Sequence, residues 1–558
     1  MRCVNRKTIG IDSMLLADFA WRAGRTLAVA LLLGAMAPMA PMGLPAAWAQ
    51  SEEKVLPGEK IYQKNCAHCH GEEGDGKGHG YDAMYPRPRD LTSGMFKFRR
   101  TESGDAPLRD DLVQMIRDGM PGTAMPPWGE VLSAEEIRHA AEYIQSLFTD
   151  EEDEAPKALP IGKPPPASPE TIAQGRELFI KLECNRCHGE AGRGDGNNAM
   201  NLKEDWYDEP IYPRNLTAGW VFRGGRRPRD IYRNIMFGLN GTPMPAHIDE
   251  ELLARESDRW ALVLYVLSLG PDTEPQVRST IIVKYTGEAI PLDASHPLWA
   301  QPESFYIPLA GQVILKPRLF QPSVRYLWVK ALYNDEEIGF QVRWVDPTAK
   351  NSEAYKGAEK PEKPSEDGEK NEGDKETARP SVPYAGDPAP VDELILQFPL
   401  AYKVGESLPY FLMGKPGKPV GLWVWRANRD GMVEAKATRL GAWKEQSGAA
   451  GLQSAVTHYQ GQYTLVVKRK RLGGKDRGPR FPSDPGLMPI SFSVVDGFKG
   501  EGGTRRAVAT WFTLLLEQQV EDSIFYLPII VALFIFGLEW RLLTRTRKSE
   551  EEEDTNSG

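Results

Sequence analysis

The chain has 558 residues, of which 41% are hydrophobic and 26% are charged, and its formal net charge is −9 at pH 7. This length allows three or four domains, and the composition is ordinary for globular protein. The acidic balance argues against nucleic acid as a partner.

The N-terminus has the pattern of a secretory signal peptide. Arg22 and Arg25 precede an apolar run at 27–36, and the segment closes at 47–49 with Ala-Trp-Ala. An N-terminal membrane anchor is the alternative, although prolines interrupt the region after the apolar run. We expect cleavage after Ala49 and export of the mature protein. Because residues 1–49 hold five basic and two acidic residues, the mature chain carries a net charge of −12.

Two C-x-x-C-H motifs use every cysteine of the expected mature chain, because Cys3 leaves with the signal peptide. This spacing is the attachment pattern of a c-type haem, in which both thiols bond to the porphyrin and the adjacent imidazole binds the iron. A zinc site or a redox-active thiol pair is the alternative for a single copy. Repetition in an exported chain favours two covalent haem c groups. Their predicted attachment residues and histidine ligands are Cys66, Cys69, His70, Cys184, Cys187 and His188.

The two halves of the haem region are repeats of one another. Each half contains Gly-Asp-Gly, Pro-Arg-(Asp/Asn)-Leu-Thr, Phe-Arg and Gly-Thr-x-Met-Pro elements, which lie at 74–76, 88–92, 98–99 and 122–126 and again at 194–196, 213–217, 222–223 and 241–245. Short helical segments precede the thiols, and amphipathic segments close each copy. We predict two all-α cytochrome c domains at 52–149 and 171–271. The acidic, proline-rich linker at 150–170 is expected to be a semi-extended spacer between them.

Met125 and Met244 are predicted to be the second axial ligands of the two irons. They follow their haem histidines by 55 and 56 residues. The alternatives are core methionines, or four rival ligands, His68, His79, His139 and His247. His/Met ligation raises the reduction potential and leaves no open iron position, which predicts electron transfer. Residues 52–270 resemble a tandem class I cytochrome c, similar to the dihaem electron carriers of respiratory chains.

After residue 271 the pattern changes to short runs rich in Val, Ile, Tyr, Phe and Trp, bounded by Pro, Gly and Asp. These runs lie at 326–332, 338–345, 394–398, 421–426, 463–468, 490–495 and 507–516. Their number and spacing predict an all-β sandwich over 280–517. Residues 349–390 contain almost no apolar side chains, and we expect a disordered insertion there.

The predicted sandwich contains several motifs that are weak individually but informative in their order along the chain. They include Ile-Pro-Leu at 307–309, Arg-Trp-Val-Asp-Pro at 343–347, Phe-Leu-Met-Gly at 411–414, Leu-Trp-Val-Trp at 422–425 and Asp-Gly at 496–497. In this order, over about residues 290–517, they resemble the haem b-binding γ subunit of the ethylbenzene dehydrogenase, selenate reductase and nitrite oxidoreductase group of molybdenum enzymes.

The resemblance implies a non-covalent haem b held by a methionine and a lysine, which correspond here to Met413 and Lys499. An apolar turn residue and a solvated loop lysine are the alternatives for these two positions. The family's lysine more often falls where this chain has Arg505 and Arg506, and arginine is no normal iron ligand. Loss of haem b is therefore the other interpretation.

The C-terminus carries a candidate membrane anchor. Residues 523–538 hold no charge, and when it is extended to 543 the segment is long enough for a transmembrane helix. A buried amphipathic helix is the alternative. The basic cluster that includes Arg541 and Arg545 indicates the cytoplasmic end. The haem domains are then expected on the periplasmic face, with residues 544–558 as a cytoplasmic tail.

These patterns predict a membrane-anchored periplasmic multihaem cytochrome, an electron-transfer subunit without a catalytic centre. The resemblance implies as partners the iron–sulfur and molybdopterin subunits of an oxidoreductase of the nitrite, nitrate or selenate class. A soluble cytochrome or a quinol-linked membrane complex is the other expected redox partner. The alternatives are a dihaem peroxidase-like enzyme and a stand-alone respiratory carrier whose sandwich binds a ligand such as a carbohydrate.

Overall fold

The computed structural model describes most of the chain after the N-terminal segment. The described residues are 57–81, 84, 86–150, 154, 156–205, 210–348, 391–400, 402–403, 405–446, 451–471, 479–481, 486–517 and 523–556. The expected signal peptide at 1–49 and the expected disordered insertion at 349–390 lie outside them. Over the described residues the predicted fold class is confirmed, with two helical modules, an all-β domain and one apolar C-terminal helix.

Each helical module contains four α-helices in the described residues. In the first module they are α1 (Pro57–Asn65), α2 (Ala67–His70), α3 (Arg109–Asp118) and α4 (Ala134–Ser146). In the second they are α5 (Pro169–Lys181), α6 (Asn185–His188), α7 (Pro228–Met236) and α8 (Glu256–Ser268). The helix α4 begins at a capping box, in which the Glu136 N–H donates to the Ser133 hydroxyl at 3.2 Å and the Ser133 N–H donates to the Glu136 carboxylate at 2.8 Å.

The first and last helices of each module cross at a glycine. A Cβ atom added to Gly58 would lie 2.0 Å from the carbonyl oxygen of His139, and one added to Gly175 would lie 2.0 Å from that of Ala261. Real atoms do not approach so closely, so only glycine allows this crossing. The apolar faces of α1, α3 and α4 form the core of the first module, and those of α5, α7 and α8 form the core of the second.

The two modules pack directly against each other. Arg99 of the first module is fully buried and donates to the carbonyl oxygens of Phe237 and Gly238 in the second, at 3.1 and 3.3 Å. The linker joins this contact, because the Leu159 N–H donates to the Arg100 carbonyl at 2.8 Å while the Leu159 side chain packs on the second core. The linker therefore lies on the modules instead of spacing them apart.

The all-β domain has fourteen strands in the described residues. They are β1 (Thr280–Tyr285), β2 (Phe305–Pro308), β3 (Ala310–Gly311), β4 (Tyr326–Tyr333), β5 (Glu337–Val345), β6 (Glu393–Pro399), β7 (Val420–Arg426), β8 (Met432–Arg439), β9 (Ala442–Glu445), β10 (Gln453–Tyr459), β11 (Gln462–Lys470), β12 (Leu487–Val495), β13 (Ala507–Val508) and β14 (Phe512–Leu516).

These strands form two layers around a shared core. The hydrogen-bonded order is β10-β11-β5-β4-β1-β14-β12-β6-β7-β8-β9. The strand β1 runs parallel to both of its neighbours and connects the layers, because its residues 280–283 pair with β14 and its residues 284–285 pair with β4. Aromatic rings meet across the core, with ring centres 5.9 Å apart for Phe340 and Trp423 and 5.7 Å apart for Trp344 and Trp425. This arrangement is a sandwich.

The C-terminal helix α9 (Ser523–Asn556) is the one described helix long and apolar enough to cross a membrane. Its apolar part, Ile524–Arg545, has 22 residues and a mean hydropathy of 1.8. Large apolar side chains such as Phe534 and Leu543 are exposed. The helix continues beyond the predicted transmembrane segment at 523–543 as far as Asn556, because the Arg, Lys and Glu residues that follow are good helix formers.

Candidate haem sites

A single helical turn presents each C-x-x-C-H motif. The N–H of His70 donates to the carbonyl of Cys66, and the N–H of His188 donates to that of Cys184, both at 2.9 Å. Residues three and four positions apart on a helix share one face. Both thiols and the imidazole of each motif accordingly border the same cavity, which is lined by Cys66, Cys69, His70, Cys184, Cys187 and His188.

The surroundings of the four thiols do not lower their pKa values. Burial raises the pKa of Cys66 and of Cys184 to about 11 and also raises the pKa values of Cys69 and Cys187. Redox-active thiol pairs have a lowered pKa instead. Among the described residues, the cysteine and histidine atoms of the motifs do not converge closely enough to hold a metal ion. The motif geometry therefore disfavours both alternatives to haem attachment.

A backbone carbonyl holds each motif histidine in one orientation. The Nδ1 atom of His70 lies 3.0 Å from the carbonyl oxygen of Arg89, and Nδ1 of His188 lies 3.0 Å from that of Arg214. A carbonyl only accepts, so Nδ1 carries the proton and Nε2 keeps its lone pair for a metal. Burial lowers the pKa of both imidazoles, which favours the neutral form that ligates iron.

A tight turn carries each of these carbonyl groups. The Asp90 carboxylate accepts hydrogen bonds from the N–H and hydroxyl of Thr92, at 2.9 and 2.6 Å. The Asn215 side-chain oxygen accepts the same pair from Thr217, at 2.9 and 2.7 Å. Asp and Asn are suited to this turn because their side chains bond to the backbone two residues on. The repeated Pro-Arg-(Asp/Asn)-Leu-Thr element thus positions the haem histidine, a role that sequence reasoning missed.

The glycine-rich loops of the two modules correspond in structure, but not in the register that the two Gly-Asp-Gly triplets indicate. The N–H of Gly76 donates to the His70 carbonyl at 2.8 Å, and the N–H of Gly194 donates to the His188 carbonyl at 2.7 Å. Gly76 is therefore equivalent to Gly194. The shared pattern is Gly-x-Gly-x-Gly at 74–78 and 192–196, and the two Gly-Asp-Gly triplets are offset by two residues.

The methionine loops have the same shape in both modules. The hydroxyl of Thr123 donates to the Met120 carbonyl at 2.8 Å and accepts from the Met125 N–H at 3.2 Å. Thr242 makes the matching bonds to Leu239 and Met244, at 2.8 and 3.2 Å. Met125 and Met244 are half-buried and line the same cavity as the haem motifs. Each loop therefore presents a thioether to the space that its histidine borders.

The rival histidines separate into two groups. His68 stacks on His79 with ring centres 6.1 Å apart, and His139 lies on the exposed side of α4, 3.3 Å from Glu142. Among the described cavity-lining residues, His247 is the one rival present. Met125 thus stays the predicted ligand of the first iron, and His247 stays a rival of Met244 at the second.

The haem motifs of both modules open into one cavity of about 2830 Å³. Single-ligand pockets usually measure about 300–1,000 Å³, so this cavity has room for more than one large cofactor. Its wall is basic although the whole chain is acidic. The basic side chains that line it are Arg87, Arg89, Lys97, Arg186, Arg193, Arg214, Arg223, Lys316, Arg318, Arg325, Arg426, Lys499, Arg505 and Arg506.

The sandwich forms part of this wall. Arg325 donates to the carbonyl of Gly122, in the Met125 loop, at 2.8 Å. Arg193 of the second module donates to the carbonyl of Gln460 at 2.9 Å. Asn215, whose side chain holds the His188-supporting turn, donates to the Tyr326 hydroxyl at 3.2 Å. The β domain therefore contacts the supporting loops of both haem motifs.

The two residues proposed for haem b are not brought together. Lys499 lines the cavity, with its ammonium group over the ring of Tyr212. Met413 is buried in a separate apolar cluster with Leu412 and Leu422 and is absent from the described lining residues. Because side chains alternate along strands, this cluster lies on the face of β6 and β7 opposite the inter-layer core. Lys499 and Met413 therefore have different surroundings in the described residues, and their ligation of a haem b stays a prediction.

The described residues fit covalent haem c. Two thiols per motif suit the porphyrin vinyl groups, the oriented imidazole suits the iron, and the basic wall suits the propionate carboxylates. Haem c, when bound, supplies a one-electron iron couple.

Three regions of the chain match models of known families. Residues 53–144 match the family described as cytochrome c oxidase, cbb3-type, subunit III, and residues 172–270 match cytochrome c. Residues 296–480 match the family described as ethylbenzene dehydrogenase. The resemblances of the helical modules and of the sandwich are confirmed.

Individual proteins are similar to parts of the chain. Cytochrome c55X of Paracoccus denitrificans is 34% identical over 122 residues, which cover 22% of this chain and 97% of that protein. The cbb3-type cytochrome c oxidase subunit FixP of Sinorhizobium medicae is 25% identical over 159 residues, 27% of this chain. The chain spans only 44% of the length of that FixP.

A solved structure is also similar to part of the chain. The Kuenenia stuttgartiensis reducing HAO-like protein complex Kustc0457/Kustc0458 is 39% identical, with a TM-score of 0.36, and the match covers 38% of this chain and 96% of that one.

The chain belongs to the c-type cytochromes. It is a multihaem cytochrome c with an ethylbenzene dehydrogenase-like domain after its two haem modules.

Proposed function

We propose that this protein is a membrane-anchored, periplasmic electron-transfer subunit with two covalent haem c groups and no catalysis of its own. The observation that carries the proposal is that both C-x-x-C-H motifs and both methionine loops border one continuous cavity. A single chain thus keeps both redox groups together, and transfer between them needs no diffusional encounter. The exposed apolar helix α9 supports the anchor.

The chain's own residues have distinct parts in this proposal. The thiols hold the cofactors, while the carbonyls of Arg89 and Arg214 fix the imidazoles of His70 and His188. The thioethers of Met125 and Met244 would ligate the two irons when haem c is bound and would so prevent exogenous ligands from binding. The basic wall neutralises the cofactor carboxylates. These residues bind, orient and shield, which are the parts that an electron-transfer subunit needs.

We further propose that the partner is the iron–sulfur subunit of a molybdopterin oxidoreductase of the nitrite, nitrate or selenate class. The sandwich carries an exposed apolar run, in which Val313, Ile314 and Leu315 are 45%, 53% and 41% exposed. Exposed apolar patches often mark protein interaction sites. The residues that follow, from Lys316 to Phe320, line the cavity. A partner docked on this run would sit beside the cavity's sandwich wall.

Purification of the tagged protein from its native membranes tests the partner. We expect molybdenum and iron–sulfur subunits to co-purify with the wild type and to be lost from a variant with Ile314→Ser and Leu315→Ser. A Val131→Ser variant, which changes an exposed apolar residue of the first module, should retain the partner. Recovery of no molybdenum with the wild type, or equal recovery with the double variant, contradicts the proposal.

Haem b stays a prediction from the family resemblance. Lys499 lies at the cavity, whereas Met413 does not. Pyridine haemochrome analysis of the purified protein distinguishes the two cases: haem b is retained if two covalent c haems and one extractable b haem are found. Finding c haems alone means that the sandwich is a docking domain only.

A further inference from the structure

Three buried aspartates meet at one end of the sandwich, and the electron-transfer proposal leaves them unused. Asp346 follows β5, Asp392 precedes β6 and Asp496 follows β12. They are 1%, 2% and 2% exposed. One carboxylate oxygen from each lies within 4.8 Å of the other two. Because β5 belongs to one layer and β6 and β12 to the other, the cluster connects both layers.

Ordinary hydrogen bonds satisfy only part of this cluster. The Asp392 carboxylate accepts from the Tyr463 hydroxyl at 3.0 Å and from the Gly497 N–H at 2.9 Å. One oxygen of Asp346 accepts from the N–H and the hydroxyl of Thr348, at 3.0 and 2.9 Å. The other oxygen of Asp346, Oδ2, is buried with no hydrogen-bond partner among the described residues.

Such an oxygen is costly unless something binds it. A buried polar atom without a partner loses its hydration and gains nothing in return, and a buried carboxylate costs far more. Burial raises the pKa of all three carboxyl groups, and the charge of Asp496 adds to the effect at Asp346. Lys499, whose ammonium group lies over the ring of Tyr212, lowers the pKa of Asp496, but burial and the charge of Asp392 still raise that pKa to about 6. A bound cation would compensate the cluster.

We propose that Asp346, Asp392 and Asp496 form a calcium site that fastens the two layers of the sandwich together. Calcium binds oxygens at about 2.3–2.6 Å, so two of its ligands are at most about 4.6–5.2 Å apart, and three oxygens that all lie within 4.8 Å of one another satisfy this limit. All the donors are oxygen, the ligand type that suits hard cations such as calcium. Calcium accepts six to eight oxygens in flexible geometry, whereas magnesium demands a near-ideal octahedron.

The site has a consequence for the cavity. Asp496 begins the turn that continues through Lys499 and Glu501, and all three residues line the cavity wall. The Asp496 N–H donates to the Glu501 carboxylate at 3.2 Å, and Glu501 in turn accepts from the Ser323 N–H at 2.7 Å. Calcium at the cluster therefore holds the sandwich part of the cavity wall in place.

Calcium titration of the full-length protein in detergent tests the site. After the protein is stripped with EGTA, we expect isothermal titration with calcium chloride to show one tight site per chain and the thermal midpoint of the sandwich to rise. The Asp346→Asn variant keeps the side-chain shape but should lose both the uptake and the rise, while its haem spectrum is unchanged. An Asp335→Asn variant, on an exposed turn of the same domain, should behave as wild type.

Elemental analysis of the untreated wild type keeps the test independent of any variant that fails to fold. One equivalent of calcium that EGTA removes supports the site. Absence of calcium together with no uptake by the stripped protein overturns it, and the carboxyl groups then share protons instead. Equal calcium uptake by Asp346→Asn and wild type also overturns it. None of these outcomes depends on the redox partner.

Discussion

The methionine side chains decide whether each iron accepts outside ligands. In the first module Met125 shares its cavity wall with His70, and none of the rival histidines of that module lines the cavity among the described residues. We expect Met125→Ala to open one iron position. Reduced protein should then bind carbon monoxide at one of its two haems, and the oxidised protein should lose part of the absorption band of the ferric iron–thioether bond.

A matched control for this variant is Met95→Ala, which removes an exposed methionine of the same module. It should leave both the absorption band and the carbon monoxide response unchanged. If Met125→Ala also changes neither, the thioether is a core group and another residue binds the first iron.

The sequence predicts the side chains of the haem sites but not the backbone groups that orient them. Cysteine and histidine at fixed spacing identify attachment because few other chemistries need that pattern. The carbonyls of Arg89 and Arg214 could not be recognised, since every residue has a carbonyl and only the fold aims it. Met413 is a further case. Its motif matched the family, but the motif could not show that this turn residue packs in an apolar cluster and does not line the cavity.

The crossing of α1 and α4 at Gly58 leaves no room for a side chain. Since an added methyl group would meet the backbone of α4, which cannot move aside like a side chain, we expect Gly58→Ala to lower the free energy of unfolding by about 1–3 kcal/mol. Thermal or denaturant unfolding measures this change. Gly287→Ala, at a position with nothing within 4 Å, is the control and should be nearly neutral. Equal stability of the two variants contradicts the close crossing.

Strands were predicted best where both faces are apolar. The predicted runs at 326–332 and 338–345 correspond to β4 and β5 within one residue at each end. The run at 507–516 is instead split into β13 and β14, which join different parts of β12. The strand β10 was missed because most of its side chains are exposed, so it lacks an apolar pattern. Edge strands leave the weakest signal in a sequence.

We expect helix α9 to hold the protein in the membrane fraction. A chain that ends at Glu517 lacks the apolar helix and should move from the membrane fraction to the soluble periplasmic fraction. Immunoblotting of salt-washed membranes measures this, and the full-length chain is the control. Retention of the shortened chain in washed membranes would mean that another segment anchors the protein.

The contact between the haem modules is a property of the whole molecule. Arg99→Met should leave the carbonyls of Phe237 and Gly238 without their donor and lower the free energy of unfolding by about 1–3 kcal/mol. Denaturant unfolding of the holoprotein measures this loss. Arg109→Met, at an exposed position of α3, should cost little. If Arg99→Met is equally neutral, the modules are independent in solution.

Packing between modules could not be read from the sequence. The Phe-Arg element recurs in both copies, but nothing in its spacing shows that Arg99 reaches across to the other module. The linker composition is typical of a spacer, and its few apolar residues, such as Leu159, are too sparse to reveal that it lies on a core. The repeated motifs identify the two modules. The contact between the modules depends on surface residues that differ between the two copies, so the repeat pattern does not reveal it.

Carbon monoxide titration of the reduced full-length protein tests the central claim most directly. If His70 and Met125 close one iron and His188 and Met244 close the other, the visible spectrum should stay unchanged on mixing at neutral pH. Immediate, stoichiometric binding at either haem would show an open iron position. That result would contradict a pure electron-transfer role and favour a peroxidase-like enzyme.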